Sequence, residues 1–182
     1  MKNKKLVNLI LAAFFLGIGL VLPFVTGQIQ KIGNMLLPMH IPVLLCGFIC
    51  GPQYGIVMGF VLPLMRSVLF GMPVMYPNAV AMAFELAAYG LISGLLFGRL
   101  KKQSVSAVYG SLIPAMLGGR IVWGIAQTVL LGLEGFTFRM FIAGAFVNAV
   151  PGIILQLILI PAVMLALDKM NLIKRSDNNV RK

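Results

Sequence analysis

The segment that decides the fold is NAVAMAFELAAYGLISGLLFG, residues 78–98, followed directly by Arg99 and then by Lys101 and Lys102. A helix of about 20 apolar residues crosses the hydrocarbon core of a bilayer, and this segment has that length. Its only charged residue is Glu85. A basic cluster at one end of an apolar helix is typical of the cytoplasmic side of a membrane. The segment therefore predicts a transmembrane helix with its carboxyl end in the cytoplasm.

The whole chain is as apolar as this segment suggests. Of its 182 residues, 60% are hydrophobic and 10% are charged, whereas about a quarter of the residues of a soluble domain are charged. This composition excludes a water-soluble fold and predicts an all-α integral membrane protein with one membrane domain, residues 1–182. We predict six transmembrane helices, over residues 5–25, 38–50, 53–70, 78–98, 105–131 and 139–167, and a basic cytoplasmic tail over 168–182.

The charge distribution predicts the orientation. The formal net charge is +11, which in a soluble chain would suggest a nucleic-acid partner. Here eleven of the 15 basic residues border apolar segments in three clusters, at Lys2–Lys5, Arg99–Lys102 and Lys169–Lys182. With six spans all three clusters fall on one side, so the positive-inside rule predicts that both termini are cytoplasmic. The partner that this charge indicates is the lipid bilayer and not nucleic acid.

A few ionisable residues lie inside the predicted spans, where each costs at least about 2.5 kcal/mol and usually faces a cavity or a partner. They are Arg66, Glu85 and Arg120. Helical spacing places further polar side chains on the same faces, mostly in the outer half of the bilayer. We therefore predict a substrate site formed by His40, Arg66, Asn78, Glu85, Tyr89, Arg120, Trp123, Gln127 and Asn148.

Other roles are open for several of these residues. Arg66 and Glu85 are also suited to a buried ion pair that joins two helices, Asn148 to an interhelical hydrogen bond, and Trp123 to simple packing. His40 is equally suited to orienting a loop. The two arginines and Glu85 leave a charge of +1 in the interior, which favours a ligand with a carboxylate.

Two further features concern partners and chemistry. Ala13 and Gly17 form a small-xxx-small pair on the first helix, which suits either a partner surface or internal packing.

Cys46 and Cys50 are interpreted as small buried hydrophobic residues, with no metal site and no cofactor. No nucleophile–base pair accompanies His40 or Glu85, so we do not expect an enzyme.

Several segments together resemble the substrate-binding S components of energy-coupling factor (ECF) transporters. They are NMLLPMHIPVLLCGFICGP (34–52), Gly55 and Gly59, Met72-Pro73, and AMAFELAAYG (81–90). The resemblance covers nearly the whole chain. It implies a six-helix subunit that captures a vitamin outside a bacterial cell and docks on a membrane coupling (T) subunit carrying two cytoplasmic ATPases.

The resemblance also implies roles for single residues and a candidate ligand. Ala13 and Gly17 match the small residues that face the coupling subunit. The histidine–proline stretch is similar to the pantothenate branch, whose ligand carries a carboxylate; riboflavin, pyridoxine and cobalamin-type ligands stay open. A stand-alone secondary transporter is the other alternative, although the chain shows no internal repeat. The sequence has no glycine-rich loop ending in Gly-Lys-Ser or Gly-Lys-Thr, so ATP would be hydrolysed by the partners.

The three basic clusters generate the first prediction. Tags at both termini should lie in the cytoplasm, and a Lys31→Cys variant should react with an impermeant thiol reagent added to intact cells. Labelling of Lys31→Cys only after the cells are permeabilised would contradict the predicted orientation.

Overall fold

The computed structural model describes residues 2–26, 35–100 and 104–170, and these residues form helices and short connections without a β-strand. In chain order the elements are α1 (Lys2–Val21), a 3-10 turn (Leu22–Thr26), α2 (His40–Cys50), α3 (Pro52–Phe70), a π-helical turn (Met75–Ala79), α4 (Val80–Arg99), α5 (Val105–Gly135), α6 (Phe138–Ile142), a second π-helical turn (Ala143–Val147) and α7 (Val150–Lys169). The predicted outer loop with Lys31, the basic residues Lys101 and Lys102, and the part of the predicted tail after Met170 lie outside the described residues.

Five of these elements are long and apolar enough to cross a bilayer. They are the helices over Asn3–Val25, Pro52–Phe70, Met75–Arg99, Val105–Gly135 and Val150–Lys169. Large apolar side chains such as Phe14, Ile125 and Ile158 are exposed along them, as a lipid-facing surface requires. The predicted all-α membrane bundle is confirmed.

The second predicted span is the short helix α2, with 11 residues. At 1.5 Å per residue it is about 16 Å long, which is too short to cross the hydrocarbon core alone. All but one of its residues are buried, so its backbone is covered by neighbouring helices. Gly51, with φ of +96°, turns the chain, and Pro52 begins α3 at a position where its missing N–H costs nothing.

The sixth predicted span, 139–167, is divided in the structure. Helix α6 and the second π-helical turn end at Val147, and a turn at Asn148 and Ala149 precedes α7. Pro151 stands in the first turn of α7. A proline lacks the N–H that a continuous helix needs and restricts the backbone of the residue before it, so a new helix begins there. By contrast, Pro63, Pro114 and Pro161 lie inside α3, α5 and α7 without ending them.

Helix α4 is the centre of the bundle and packs against α2, α3 and α5. Its contacts with α2 and α3 depend on glycine. A Cβ on Gly55 would lie 2.6 Å from the carbonyl oxygen of Gly90. One on Gly94 would lie 2.6 Å from the nitrogen of Pro52, in α3, and 2.9 Å from the carbonyl oxygen of Gly47, in α2. A Cβ on Gly59 would overlap the backbone of Leu86. The three helices therefore meet backbone against backbone, as small residues permit in membranes.

This close packing generates the second prediction. Gly90→Ala would place a methyl group against the backbone of Gly55, which cannot retreat as a flexible side chain can. We expect the variant to lose about 1–3 kcal/mol of unfolding free energy, visible as a lower melting temperature in detergent. Gly110→Ala is the matched control, because a Cβ there meets nothing within 4 Å. Equal melting temperatures for the two variants would contradict this account of the core.

Candidate functional site

One carboxylate oxygen joins three helices in the interior. Oε1 of Glu85, on α4, accepts a hydrogen bond from Nη1 of Arg120, on α5, at 2.8 Å. The same oxygen lies 3.2 Å from Nε2 of His40, the first residue of α2. The exposed fractions of Glu85, Arg120 and His40 are 1%, 5% and 0%. We call these three residues the Glu85 cluster.

The charges of the Glu85 cluster balance within it. A carboxylate and a guanidinium 2.8 Å apart form a charge-assisted hydrogen bond, the strong kind in a dry interior. An ionised carboxylate only accepts hydrogen bonds, so the proton of the His40 contact belongs on Nε2. The other ring nitrogen of His40, Nδ1, has no hydrogen-bond partner of normal geometry among the described residues.

Tyr89 packs beside the Glu85 cluster. It lies one helical turn after Glu85 on α4, and its side chain is fully buried. Its ring meets the His40 ring edge-on, with centroids 5.0 Å apart. The Tyr89 hydroxyl interacts electrostatically with Arg120, yet no hydrogen bond of normal geometry satisfies it within the described residues. Gly119 makes room for this ring, because a Cβ there would overlap it.

Several buried polar side-chain atoms have no hydrogen-bond partner among the described residues, and four of them belong to His40, Tyr89 and Arg120. A buried polar group without a hydrogen bond costs about 1–3 kcal/mol, so native proteins keep few of them. Among the described residues the buried side-chain atoms without a partner are Nδ1 of His40, the hydroxyl of Tyr89, Nε and Nη2 of Arg120, Oε1 of Gln127, and both amide atoms of Gln156. A site for a polar ligand requires unpartnered polar atoms of this kind.

Arg66 lies in a different environment. It is buried and donates a hydrogen bond to the carbonyl oxygen of Leu20, one of the carbonyls that the end of α1 leaves without an intrahelical partner. Its guanidinium also lies 5.0 Å and 5.3 Å from the ring centroids of Phe24 and Phe70. No salt bridge joins it to Glu85 within the described ranges. The ion-pair alternative for Arg66 is therefore wrong, because Glu85 pairs with Arg120.

The other predicted site residues lie in three separate places. Nε2 of Gln127 lies 3.5 Å from Oδ1 of Asn78, which links α5 to the turn before α4. Trp123 packs edge-on against Phe136 and stacks with Phe141 at a centroid distance of 6.3 Å. Asn148 is exposed in the turn before α7. Asn78 and Gln127 therefore form a pair of their own, whereas Trp123 packs in an aromatic group and Asn148 faces outward.

Two polar residues outside the predicted site have notable positions. Gln156 is fully buried with an unsatisfied amide; the signal in the sequence is its place four residues after Gly152 on the same helical face. Tyr76 donates a hydrogen bond from its hydroxyl to the carbonyl oxygen of Leu130 and ties the π-helical turn before α4 to α5. Nothing in the sequence pattern distinguishes Tyr76, because a loop residue has no periodicity to reveal its partner.

The family model for the substrate-specific component of ECF transporters matches residues 7–164. The chain belongs to this family. No curated protein and no solved structure matches it. The resemblance expected from the sequence is thereby confirmed, and the protein is a substrate-specific (S) component, a multi-pass membrane subunit of a transporter. A component of this kind binds a small-molecule substrate and works with membrane-embedded partners.

Membership of the S-component family makes the outer face of α1 relevant. Ala13 and Gly17 are both exposed, and a Cβ added to Gly17 meets nothing within 4 Å. The glycine of α1 that packs inside the subunit is Gly19, against Leu62 and Pro42. Internal packing is therefore not the role of Ala13 and Gly17, which face out of the bundle.

The third prediction tests the pairing of Glu85. Glu85→Gln should leave Arg120 as an uncompensated buried charge and should cost about 3–5 kcal/mol of unfolding free energy. Adding Arg120→Gln should restore part of the lost stability, because both charges are then gone. Adding Arg66→Gln to Glu85→Gln should restore none of it. Melting temperatures of ligand-free protein in detergent measure all three variants, and rescue by Arg66→Gln alone would overturn the pairing seen in the structure.

Proposed function

We propose that this S component captures a vitamin or related micronutrient from outside a bacterial cell for ATP-driven uptake across the plasma membrane. Its partners would be a membrane coupling subunit and two cytoplasmic ATPases. Pantothenate is the best candidate for the ligand. The observation that carries the proposal is the Glu85 cluster, with its buried unsatisfied polar atoms, inside a chain that belongs to the S-component family.

The polar interior supports a binding role because it is costly and otherwise unexplained. An apolar bundle of this size needs neither an embedded ion pair nor Tyr89 and Gln127 buried with unsatisfied atoms. Ligand groups that bond to those atoms remove the cost when they bind. We propose that His40, Tyr89, Arg120 and Gln127 contact the ligand, that Glu85 holds Arg120 and His40 in place, and that Asn78 holds Gln127.

The energy would come from the partners. The sequence lacks a phosphate-binding loop of the Gly-Lys-Ser or Gly-Lys-Thr type, so the chain has no ATP site of that kind. The exposed pair Ala13 and Gly17 offers a flat strip on α1, where a helix of the coupling subunit can approach closely. We propose this strip as the docking surface.

The fourth prediction separates binding from transport. Wild-type protein purified in detergent should retain a small molecule that mass spectrometry identifies, and cells should accumulate that molecule only when active ATPases are present. Ala13→Trp and Gly17→Trp should abolish accumulation and should leave binding in detergent unchanged, because the added ring blocks docking and not the interior.

Phe14→Trp is the matched control on α1. Phe14 is also exposed. It points about 100° from Ala13 and about 60° from Gly17 around the helix, and it already carries an aromatic ring, so Trp adds little bulk and transport should continue. Accumulation by the purified chain alone in vesicles without ATPases would contradict the proposal and would favour a stand-alone transporter. Normal transport by both Ala13→Trp and Gly17→Trp would remove the strip from the docking surface.

A further inference from the structure

The guanidinium of Arg120 is only partly used inside the protein. Its Nη1 donates to Glu85, whereas Nε and Nη2 are buried and have no partner among the described residues. These two nitrogens carry parallel N–H bonds along one side of the planar group. That side-on edge matches the two oxygens of a carboxylate, which accept a bidentate pair of hydrogen bonds.

The neighbours of this edge add a second donor, and the carboxylate of Glu85 is bonded to the opposite side of the guanidinium. The Tyr89 hydroxyl interacts with Arg120 but makes no hydrogen bond of normal geometry among the described residues. Because a guanidinium only donates, the O–H of Tyr89 stays available to donate to the same ligand group. Glu85 occupies Nη1 and leaves the side-on edge free. The second hydrogen-bond partner of Glu85 is His40 and not another arginine or lysine.

The charge count favours the same ligand group. The interiors of α3, α4 and α5 contain Arg66, Arg120 and Glu85, which sum to +1 with His40 neutral. Within the described ranges, the partners of Arg66 are a carbonyl oxygen and two aromatic faces, none of which carries a full charge. One bound carboxylate brings this sum to zero, but the Glu85 cluster is already neutral, so the position of the carboxylate is argued from the free donors of Arg120 and not from the sum.

A hydrogen-bond acceptor lies farther along α5, the helix that carries Arg120. Gln127 is seven residues after Arg120, which is about 10 Å along α5, and its Oε1 is an unsatisfied buried acceptor. A ligand with a carboxylate at one end and hydroxyl or amide donors toward the other satisfies both ends of this region.

We infer that the Nε–Nη2 edge of Arg120 and the hydroxyl of Tyr89 bind a carboxylate of the substrate, and that Glu85 is the positioning residue that fixes the guanidinium for this contact. The inference rests on the proposed function, because it assumes that the Glu85 cluster faces the transported molecule. It assigns the substrate class: an elongated carboxylate with hydroxyl or amide donors.

The test measures binding by wild-type protein in detergent first. The probes with a carboxylate are pantothenate, biotin and nicotinate, and the probes without one are pantothenol, nicotinamide, riboflavin and pyridoxine. We expect one carboxylate probe to bind at least about tenfold more tightly than its uncharged analogue, the factor that a hydrogen bond to a charged group supplies. Binding confined to uncharged probes, or equal binding of a carboxylate and its analogue, overturns the inference and leaves the proposed function standing.

Variants then locate the carboxylate. Arg120→Lys keeps the positive charge beside Glu85 but lacks the planar edge, so we expect a loss of about ten- to 150-fold for the carboxylate probe and less than about threefold for its uncharged analogue. Tyr89→Phe should weaken the carboxylate probe by at least about threefold. Tyr109→Phe, which removes an exposed hydroxyl bonded to the Leu157 carbonyl, should change neither.

The remaining outcomes are decisive as well. Equal losses for both probes in Arg120→Lys, in protein that stays monodisperse, overturn the inference. So does a carboxylate preference that survives Arg120→Lys and disappears in Arg66→Gln, because the carboxylate then lies at Arg66. If Arg120→Lys does not fold, Tyr89→Phe decides in its place. A wild-type protein that binds no probe, co-purifies with no small molecule and supports no uptake refutes the proposed function itself.

Discussion

The structure depends on the buried carboxylate of Glu85. Glu85 lies in the middle of a helix that crosses the bilayer, where water cannot solvate its charge, so its partners have to come from the protein. Arg120 and His40 both reach the same oxygen, and through it α2, α4 and α5 are held in one arrangement. Removing Glu85 or Arg120 leaves the other charge without compensation, which is a larger penalty than the loss of one hydrogen bond.

Glycine makes this arrangement possible. The polar side chains meet because α2 and α3 approach α4 at backbone distance, at Gly55, Gly90 and Gly94. Larger residues would separate the helices by several ångströms and pull His40 away from Glu85. The short helix α2 is covered on nearly every side for the same reason, which allows an element too short to cross the membrane to exist within it. Close packing and buried charge therefore support each other.

The two proposed working surfaces lie on different parts of the molecule. The Glu85 cluster is interior, and the strip at Ala13 and Gly17 faces outward on α1. Arg66 connects α1 to the rest of the bundle, because it holds the end of that helix through Leu20 and packs between Phe24 and Phe70. The helix proposed to dock on the coupling subunit is thus fixed to the bundle by an embedded charge that takes no part in the Glu85 cluster.

The sequence by itself determined the membrane class, the family and most helix positions, because apolar length, clustered basic residues and proline–glycine boundaries act locally along the chain. It also selected Glu85, Arg120, Tyr89 and His40 as functional candidates, since polar groups in apolar spans are rare. Only the tertiary structure decided that Glu85 pairs with Arg120 and not with Arg66, and that Trp123 packs against phenylalanines. It also divided the span over 139–167 at the turn before Pro151. Helical periodicity gives the face on which a side chain lies, but the partner across the interface depends on how the helices cross, and the sequence of one helix does not contain that information.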